Sequence, residues 1–386
     1  MSEWKEYQLR DWLVFNYGKG LRESDRKDGN IPVYSSAGLT GWHDKPLENG
    51  KGIIVGRKGS VGTVYYSDVP FFCIDTAYYI TEEEDYDLKF FYYFLKYMRL
   101  DRLNEDSAVP GLNRDNAYSQ FIRIPQKDEQ IVIRKYLSSL DDKIELLRRQ
   151  NETLEAMASA LFARWFVDFE FPNENGKPYK SSGGAMTDSD LGEIPEGWKV
   201  KSMSDVADFL NGLAMQKFRA KQDEPSFPVI KIKEMKNGIT SETDRANLKV
   251  PDEYIIDFGD VVFSWSGSLE VMLWNHGKGA LNQHLFKVTS GDYPKWFYLF
   301  WIKRHLPFFK MIAESKATTM GHIKKSHLKE RKCLIPTNSQ LQAMNSVFSP
   351  LLKKTTVNEI EIDTLTRLRN LLLPKLMSGE IRVEGD

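Results

Sequence analysis

The second half of this 386-residue chain repeats the first, so the fold must be one object built twice. Trp4-Lys5 leads to Leu9, Asp11, Phe15 and Gly18. Trp198-Lys199 leads in unbroken register to Met203, Asp205, Phe209 and Gly212. Ile31-Pro32-Val33 answers Phe227-Pro228-Val229, and Gly59-Ser60 answers Gly267-Ser268. Ile74-Asp75-Thr76 is set against Leu281-Asn282-Gln283, Lys89 through Tyr92 against Lys295 through Tyr298, and Ile124-Pro125 against Ile335-Pro336. The offset drifts from about 194 to about 211 residues, as it does when two copies gain and lose loop residues separately. Two copies of about 190 residues make a tandem pair with pseudo-twofold character, not a solenoid. A chain so built presents two similar surfaces at a set separation.

Each copy closes on a long apolar seam. Ile133, Leu137, Leu140, Ile144, Leu147, Asn151, Leu154, Ala158, Leu161 and Trp165 alternate at spacings of four and three, a heptad seam over about five heptads. The matching positions of the second copy are Met344, Phe348, Leu351, Thr355, Asn358, Ile362, Leu365, Arg369, Leu372 and Leu376. That seam is rougher. Pro350 predicts a kink or the true start of the second helix, and Pro374 a loosened last turn. Neither helix buries its stripe alone, so the expectation is an antiparallel coiled-coil pair, each member on the order of 55 Å long. The competing reading folds each helix back onto its own globule as a core element.

Between the seams the apolar runs are short and rich in Val, Ile, Tyr and Phe, as in Gly52-Ile53-Ile54-Val55, Ala77-Tyr78-Tyr79-Ile80 and Val261-Val262-Phe263. Gly, Asp and Asn clusters separate them, and helical stretches fall at 88–103 and 294–313. Each globule is therefore read as α+β, with a curled mixed or antiparallel sheet. The division expected is a first globule at 1–126, a first long helix at 127–168, a linker at 169–197, a second globule at 198–336, and a second helix with its tail at 337–386. The stretch 171–197 is polar and rich in Gly, Ser and Pro, which is linker composition.

The net charge of −1 hides an asymmetry. Residues 1–125 carry roughly −3 and residues 198–335 roughly +7, and five of the six histidines lie in the second stretch. Phosphate binding needs a local positive face rather than a basic whole, so the second globule suits DNA better than the first. Cys73 and Cys333 stand apart with no CxxC or His spacing, as core thiols of a cytosolic protein do. No apolar run is long enough to span a bilayer. No glycine-rich nucleotide loop, HExxH or Asn-Pro-Pro-aromatic motif is present, and the reading favoured is a recogniser rather than an enzyme.

Candidate contacts come from loops at matching places. Gly56-Arg57-Lys58-Gly59-Ser60 and Ser264-Trp265-Ser266-Gly267-Ser268 each follow a strand. Arg57 suits a bidentate grip on guanine, and Lys58, Ser60, Ser266 and Ser268 suit phosphate. The bland alternative is a tight turn with solvated cations. Gln283 and His284 carry hydrogen-bonding groups suited to adenine's edge, or else cap a turn. Before each long helix lie the loops 108–114, with Asn113 and Arg114, and 318–325, with His322, Lys324 and Lys325; these are read as phosphate contacts in preference to plain solvated loops. Gln216, Lys217 and Arg219 interleave polar and basic groups with Phe218, a pattern that ordinary surfaces share. The lone His43 and His305 are read as structural.

Three stretches carry a family resemblance. They are Ile124-Pro125 with Glu129-Gln130 opening the helix that contains Leu140-Asp141-Asp142-Lys143-Ile144; Leu191-Gly192-Glu193-Ile194-Pro195-Glu196-Gly197-Trp198; and Leu372-Leu373-Pro374-Lys375-Leu376-Met377-Ser378-Gly379-Glu380-Ile381. Together with the order of parts, they make the chain resemble the specificity (S) subunit of Type I DNA restriction–modification systems over nearly its whole length. The second copy departs from the helix-opening pattern, with Asn338-Ser339-Gln340 in place of Asp128-Glu129-Gln130. The resemblance implies two target recognition domains that each read half of a split DNA site, with the helical pair setting the unread spacer. It implies no cofactor on this chain, two docked methyltransferase subunits that use S-adenosylmethionine to methylate adenine, and two restriction subunits driven by ATP and Mg2+. The alternative function is a coiled-coil adaptor that joins proteins and has no DNA specificity.

Overall fold

The computed structural model describes residues 4–104, 111–315 and 321–383. The chain divides into two compact units, Met1–Lys143 with Leu365–Asp386, and Ile144–Thr364. Each unit is thus a globule together with one part of each long helix. The division read from the sequence kept the helices apart from the globules.

In the first unit an antiparallel sheet runs in the order Asn16–Tyr17, Ala77–Thr81, Gly52–Gly56, Val64–Ser67. Against it lies a mixed sheet in the order Gly38–His43, Ile31–Ser35, Phe72–Cys73, whose last pair is parallel. Alternation along the central strand explains the layering. Ile53 and Val55 point to the helix Leu88–Met98 and its aromatic face, whereas Ile54 points to Phe71 and Cys73 of the other layer. Asp87 caps that helix, its carboxylate accepting from Phe90 N at 2.8 Å, and Arg99 ends it in the left-handed region at φ 53°. Lys5–Gln8 pairs with Phe121–Ile124 and so ties the start of the repeat to its end.

The second unit repeats this order. Asp208–Asn211, Leu285–Thr289, Val261–Ser264 and Val271–Leu273 form the first sheet; Arg245–Asn247, Ser226–Ile230, Gly279–Leu281 and Ile255–Ile256 the second, again with one parallel pair. Lys199–Ser202 pairs with Lys332–Ile335. Val261 and Phe263 face the helix Lys295–Glu314, and Val262 faces Ile230, Leu281 and Trp274. The matched glycines have one cause. A Cβ on Gly18 would stand 2.0 Å from Ile74 O, and one on Gly212 2.3 Å from Asn282 O.

Each long helix has 40 residues, Lys127–Phe166 and Asn338–Met377, which is about 60 Å of α-helix. They start alike. Trp4 Nε1 donates to Glu129 Oε2 at 3.3 Å, and Trp198 Nε1 donates to Gln340 Oε1 at 2.9 Å. The second helix therefore opens at Asn338 and runs through Pro350, so Pro350 is not its start. Its altered opening keeps an acceptor at the one position where the tryptophan needs it.

Within each unit the helices pack together antiparallel. In the first, Ile133 and Leu137 meet Leu376 and Met377, and Arg369 Nη1 pairs with Asp141 Oδ1 at 2.7 Å. In the second, Ala158, Phe162 and Trp165 share a core with Met344 and Phe348. All the apolar seam positions are buried or half-buried, namely Ile133, Leu137, Leu140, Ile144, Leu147, Leu154, Leu161, Phe348, Leu351, Ile362, Leu365 and Leu372. The competing sequence readings each hold over part of the length, since the helix ends enter the globule cores and the middles meet each other.

A polar layer interrupts the seam. Asn358, fully buried, donates through Nδ2 to Asn151 Oδ1 at 2.8 Å, and Asn151 Nδ2 donates to Glu359 Oε1 at 2.7 Å. Such a layer penalises any slipped register, because a slip strands both amides in apolar surroundings. Asn358→Leu alone is expected to cost about 1–3 kcal/mol, whereas Asn151→Leu with Asn358→Leu costs less. Chemical unfolding of the two variants checks this, and equal costs would remove the pairing argument.

The segment 169–197 links the repeats but is not a loose tether. Phe169 and Phe171 pack on Trp198, Tyr179 stacks on Phe171 with centroids 4.5 Å apart, and Met186–Ser189 pairs with Gly192–Pro195. Its polar composition conceals three aromatic anchors, Phe169, Phe171 and Tyr179.

Candidate nucleic-acid interface

Two loop crossings, one per repeat, have the same backbone plan. In the first repeat, Arg57 N and Lys58 N both donate to Thr76 O, at 2.9 and 3.0 Å, and Leu112 N donates to Arg57 O at 2.8 Å. In the second, Trp265 N donates to His284 O at 3.3 Å, and Ile323 N donates to Trp265 O at 2.9 Å. Lys58 bridges Gly111 as Ser266 bridges His322. The equivalence Thr76 with His284 corrects the sequence pairing of 74–76 with 281–283 by one residue. Ile74 N to Tyr34 O and Asn282 N to Ile230 O give the same corrected offset.

On the first crossing two guanidinium groups flank one exposed ring. Arg57 lies 5.0 Å from the Tyr17 centroid and 5.8 Å from that of Tyr78. Arg114 lies 5.0 Å from Tyr17 and 5.8 Å from Tyr118. Each stacking contributes on the order of 0.5–1 kcal/mol at an exposed site and holds a flexible side chain in one pose. Arg57 Nη1 also donates to Asp75 O at 3.1 Å. Burial, with Tyr17's hydroxyl beside it, pushes the Tyr78 phenol up to about 12, so the ring stays neutral among its cations. Lys58 and Ser60 are exposed beside this pair. Asn113 Oδ1 accepts from Asp115 N and Asn116 N at 2.8 and 3.3 Å, so this residue caps the helix Arg114–Tyr118. Only its Nδ2 is left for a ligand.

The second crossing is aromatic. Trp265 Nε1 donates to Asn211 Oδ1 at 2.7 Å, and its ring lies 5.7 Å from His284 and 6.3 Å from His322. Ser266 Oγ is 3.0 Å from His284 Nδ1, and Gln283 Nε2 is 3.4 Å from His284 Nε2. Ser268 stands apart, its Oγ accepting from Lys236 Nζ at 2.8 Å. Lys324 and Lys325 are exposed at the start of the helix Lys325–Glu330, with Lys324 N donating to His327 Nδ1 at 3.1 Å. Residues 108–110 and 318–320 of the two flanking loops lie outside the described residues.

Gln216 and Arg219, which belong to neither crossing, line a cleft of about 430 Å³ with Lys221, Lys231, Asp244, Arg245 and Asn282, while Lys217 is exposed outside it. The structure thus brings Arg57 to Arg114 and Ser266, Gln283, His284 to His322. It also adds Tyr17 and Asn211, which sequence reasoning passed over. Their signal was available, since the register that carries Gly18 to Gly212 carries Tyr17 to Asn211. The thiols and the two lone histidines are structural. Burial raises Cys73 to about 12, His43 Nδ1 accepts from Lys27 N at 3.1 Å, and His305 is held down near 4 by burial, with Nε2 2.9 Å from Lys332 O. Among the described residues no three His, Cys, Asp or Glu side chains converge on a metal-sized site, and no helix is long and apolar enough to cross a membrane.

Paired α+β domains that carry one loop plan with different side chains define a two-site recognition protein. Residues 1–156 and 195–367 both match the family model of the Type I restriction modification DNA specificity domain. The chain belongs to this family, the non-catalytic DNA specificity subunits of Type I restriction–modification systems. It is 29% identical over 307 residues to the Type I restriction enzyme MjaIX specificity subunit of Methanocaldococcus jannaschii, covering 77% of this chain and 69% of that one. It is 22% identical over 469 residues to the HindI specificity subunit of Haemophilus influenzae, covering 99% and 100%. The fold is similar to the crystal structure of the Type I S subunit from M. genitalium, with a TM-score of 0.63, 17% identity, and coverage of 97% and 96%. The family carries no cofactor of its own; its partners use S-adenosylmethionine and ATP.

Proposed function

We propose that the two crossings read the two halves of a split DNA site in the cytoplasm, and that the helical pair sets the unread spacer between them. The first half-site meets Arg57, Arg114 and Tyr17, with Lys58, Ser60 and Asn113 on the backbone around them. The second meets Ser266, Gln283, His284 and His322, with Ser268, Lys324 and Lys325 as further phosphate contacts. Two methyltransferase subunits and two restriction subunits dock on the chain. The observation that carries this reading is the shared backbone plan of Arg57–Thr76–Leu112 and Trp265–His284–Ile323. One frame with two sets of side chains is what reading two different sequences requires.

Arg57 is the sharpest test. Stacked guanidinium groups are suited to the O6 and N7 acceptors of guanine, and each such pair contributes about 1–3 kcal/mol of discrimination. The chain is expressed with its methyltransferase subunit, and methylated adenines are mapped across a host genome. The unmodified chain should give a split motif with one fixed spacer. Arg57→Ala should relax one position in one half-site, leaving the other half and the spacer unchanged. A motif that is unaltered, or relaxed in both halves, would remove Arg57 from base reading. A complex that forms but gives no motif would favour the adaptor function.

A further inference from the structure

We infer that the cleft formed by Gln216, Arg219, Lys221, Lys231, Arg245 and Asn282 is a phosphodiester site that grips the DNA strand beside the second half-site. The inference rests on the DNA-reading function proposed above and adds a site to it.

The cleft holds four cationic side chains against one carboxylate, Asp244. Lys231 pairs with Asp244 and holds its carboxyl below the usual carboxylate range. Arg245 donates to Ser226 Oγ and O at 3.1 and 2.7 Å. These contacts fix the walls and neutralise the one acid. The side chains of Arg219 and Lys221 make no hydrogen bond or ion pair among the described residues, and both are exposed. Their charge is therefore available to an anion, with Gln216 as a further donor.

The cleft also joins the second crossing. Asn282 lines it, is buried, and accepts from His284 N at 3.4 Å through Oδ1. A duplex whose base edges meet Gln283 and His284 therefore brings a strand past Asn282 to the cationic rim. Half or more of protein–DNA hydrogen bonds go to the backbone, and such contacts commonly flank the base readers.

The first repeat differs at the same connection. There the short helix is Glu23–Asp25, where the second repeat has Met215–Phe218 followed by Arg219. Arg26, beside it, donates to Thr40 O at 2.6 Å. Glu23 and Asp25 thus offset part of the charge of Arg22, Arg26 and Lys27 in the first repeat, whereas Lys217, Arg219 and Lys221 of the second stand with no acid among them.

The test uses the complex with the methyltransferase subunit and a fluorescent duplex carrying the mapped motif, titrated at several salt concentrations. Arg219→Ala with Lys221→Ala should lower affinity about tenfold or more near 0.1 M salt and flatten the log-affinity against log-salt slope by up to about 2, leaving the methylated motif unchanged. Arg219→Lys with Lys221→Arg should keep most of the slope, which separates charge from misfolding. An unchanged slope in the alanine variant would overturn the site, and so would a changed motif, since the cleft would then read bases. If the unmodified complex fails to prefer its own motif over a scrambled duplex, the DNA-reading function itself falls, and the site falls with it.

Discussion

Trp296→Ala is expected to destabilise the second unit by about 3–5 kcal/mol, the range for emptying a buried aromatic site. Trp296 is fully buried, and its ring stacks on Phe348 of the long helix with centroids 4.2 Å apart and planes at 12°. It meets Phe297 and Phe166 edge-on or tilted, and Nε1 donates to Asn345 Oδ1 at 3.0 Å. One side chain thereby joins the helix Lys295–Glu314 to both long helices. Its loss removes apolar burial, opens a cavity among aromatics that cannot easily collapse, and takes away a donor from Asn345. Trp296→Phe should recover part of the loss by keeping the stack. Chemical unfolding followed by fluorescence should show the early transition in the second unit, because none of these contacts belongs to the first. A loss below about 1 kcal/mol would mean that the site repacks and that the stack is not what fixes the helix to the globule.

The sequence revealed most where physics enforces a period. A seam at spacings of four and three is demanded by helix geometry, so Ile133 through Leu161 was legible, and so was the partner seam despite Thr355, Asn358 and Arg369. A different rule, proline's exclusion from helix interiors, offered Pro350 as a possible helix start, and the helix begins earlier, at Asn338. Trp198 and the core around Met344 and Phe348 hold the turns before the proline. Composition identified the connection at 169–197 but not its packing, because polar residues there outnumber the few aromatics that meet Trp198. The one-residue slip at 281–283 had a different cause. Chemical likeness matched Ile74 with Leu281 and Asp75 with Asn282, whereas the backbone bonds to Ile230 and His284 set Ile74 against Asn282 and Thr76 against His284. The candidate surface was half legible. Glycine turns announced the loops, but Tyr17 and Asn211 reach the crossings through strand pairing with Tyr78 and Phe286, which no local motif encodes.

Shortening both long helices by one heptad should shorten the spacer of the recognised motif by about 3 base pairs. The choice of residues follows from the antiparallel pairing that sets Asn358 against Asn151. Deleting Glu145–Asn151 together with Asn358–Thr364 removes facing turns and returns the seam to nearly the same face, since seven residues are almost two turns. The loss in length is about 10.5 Å at 1.5 Å per residue, against a rise of about 3.4 Å per base pair. A shift of that size also turns one half-site by roughly a third of a duplex turn, taking about 10–10.5 base pairs per turn. Methylation should therefore fall sharply as well as move, because the recognition surfaces must twist to meet both halves. Deleting the heptad from one helix alone should do worse, since it leaves unmatched turns facing each other and strands one asparagine of the polar layer. Methylome mapping of the two variants separates the outcomes. A shorter spacer in the double deletion, with none recovered in the single one, would make the helical pair the ruler. An unchanged spacer in the double deletion would show that the partner subunits, not this chain, set the distance.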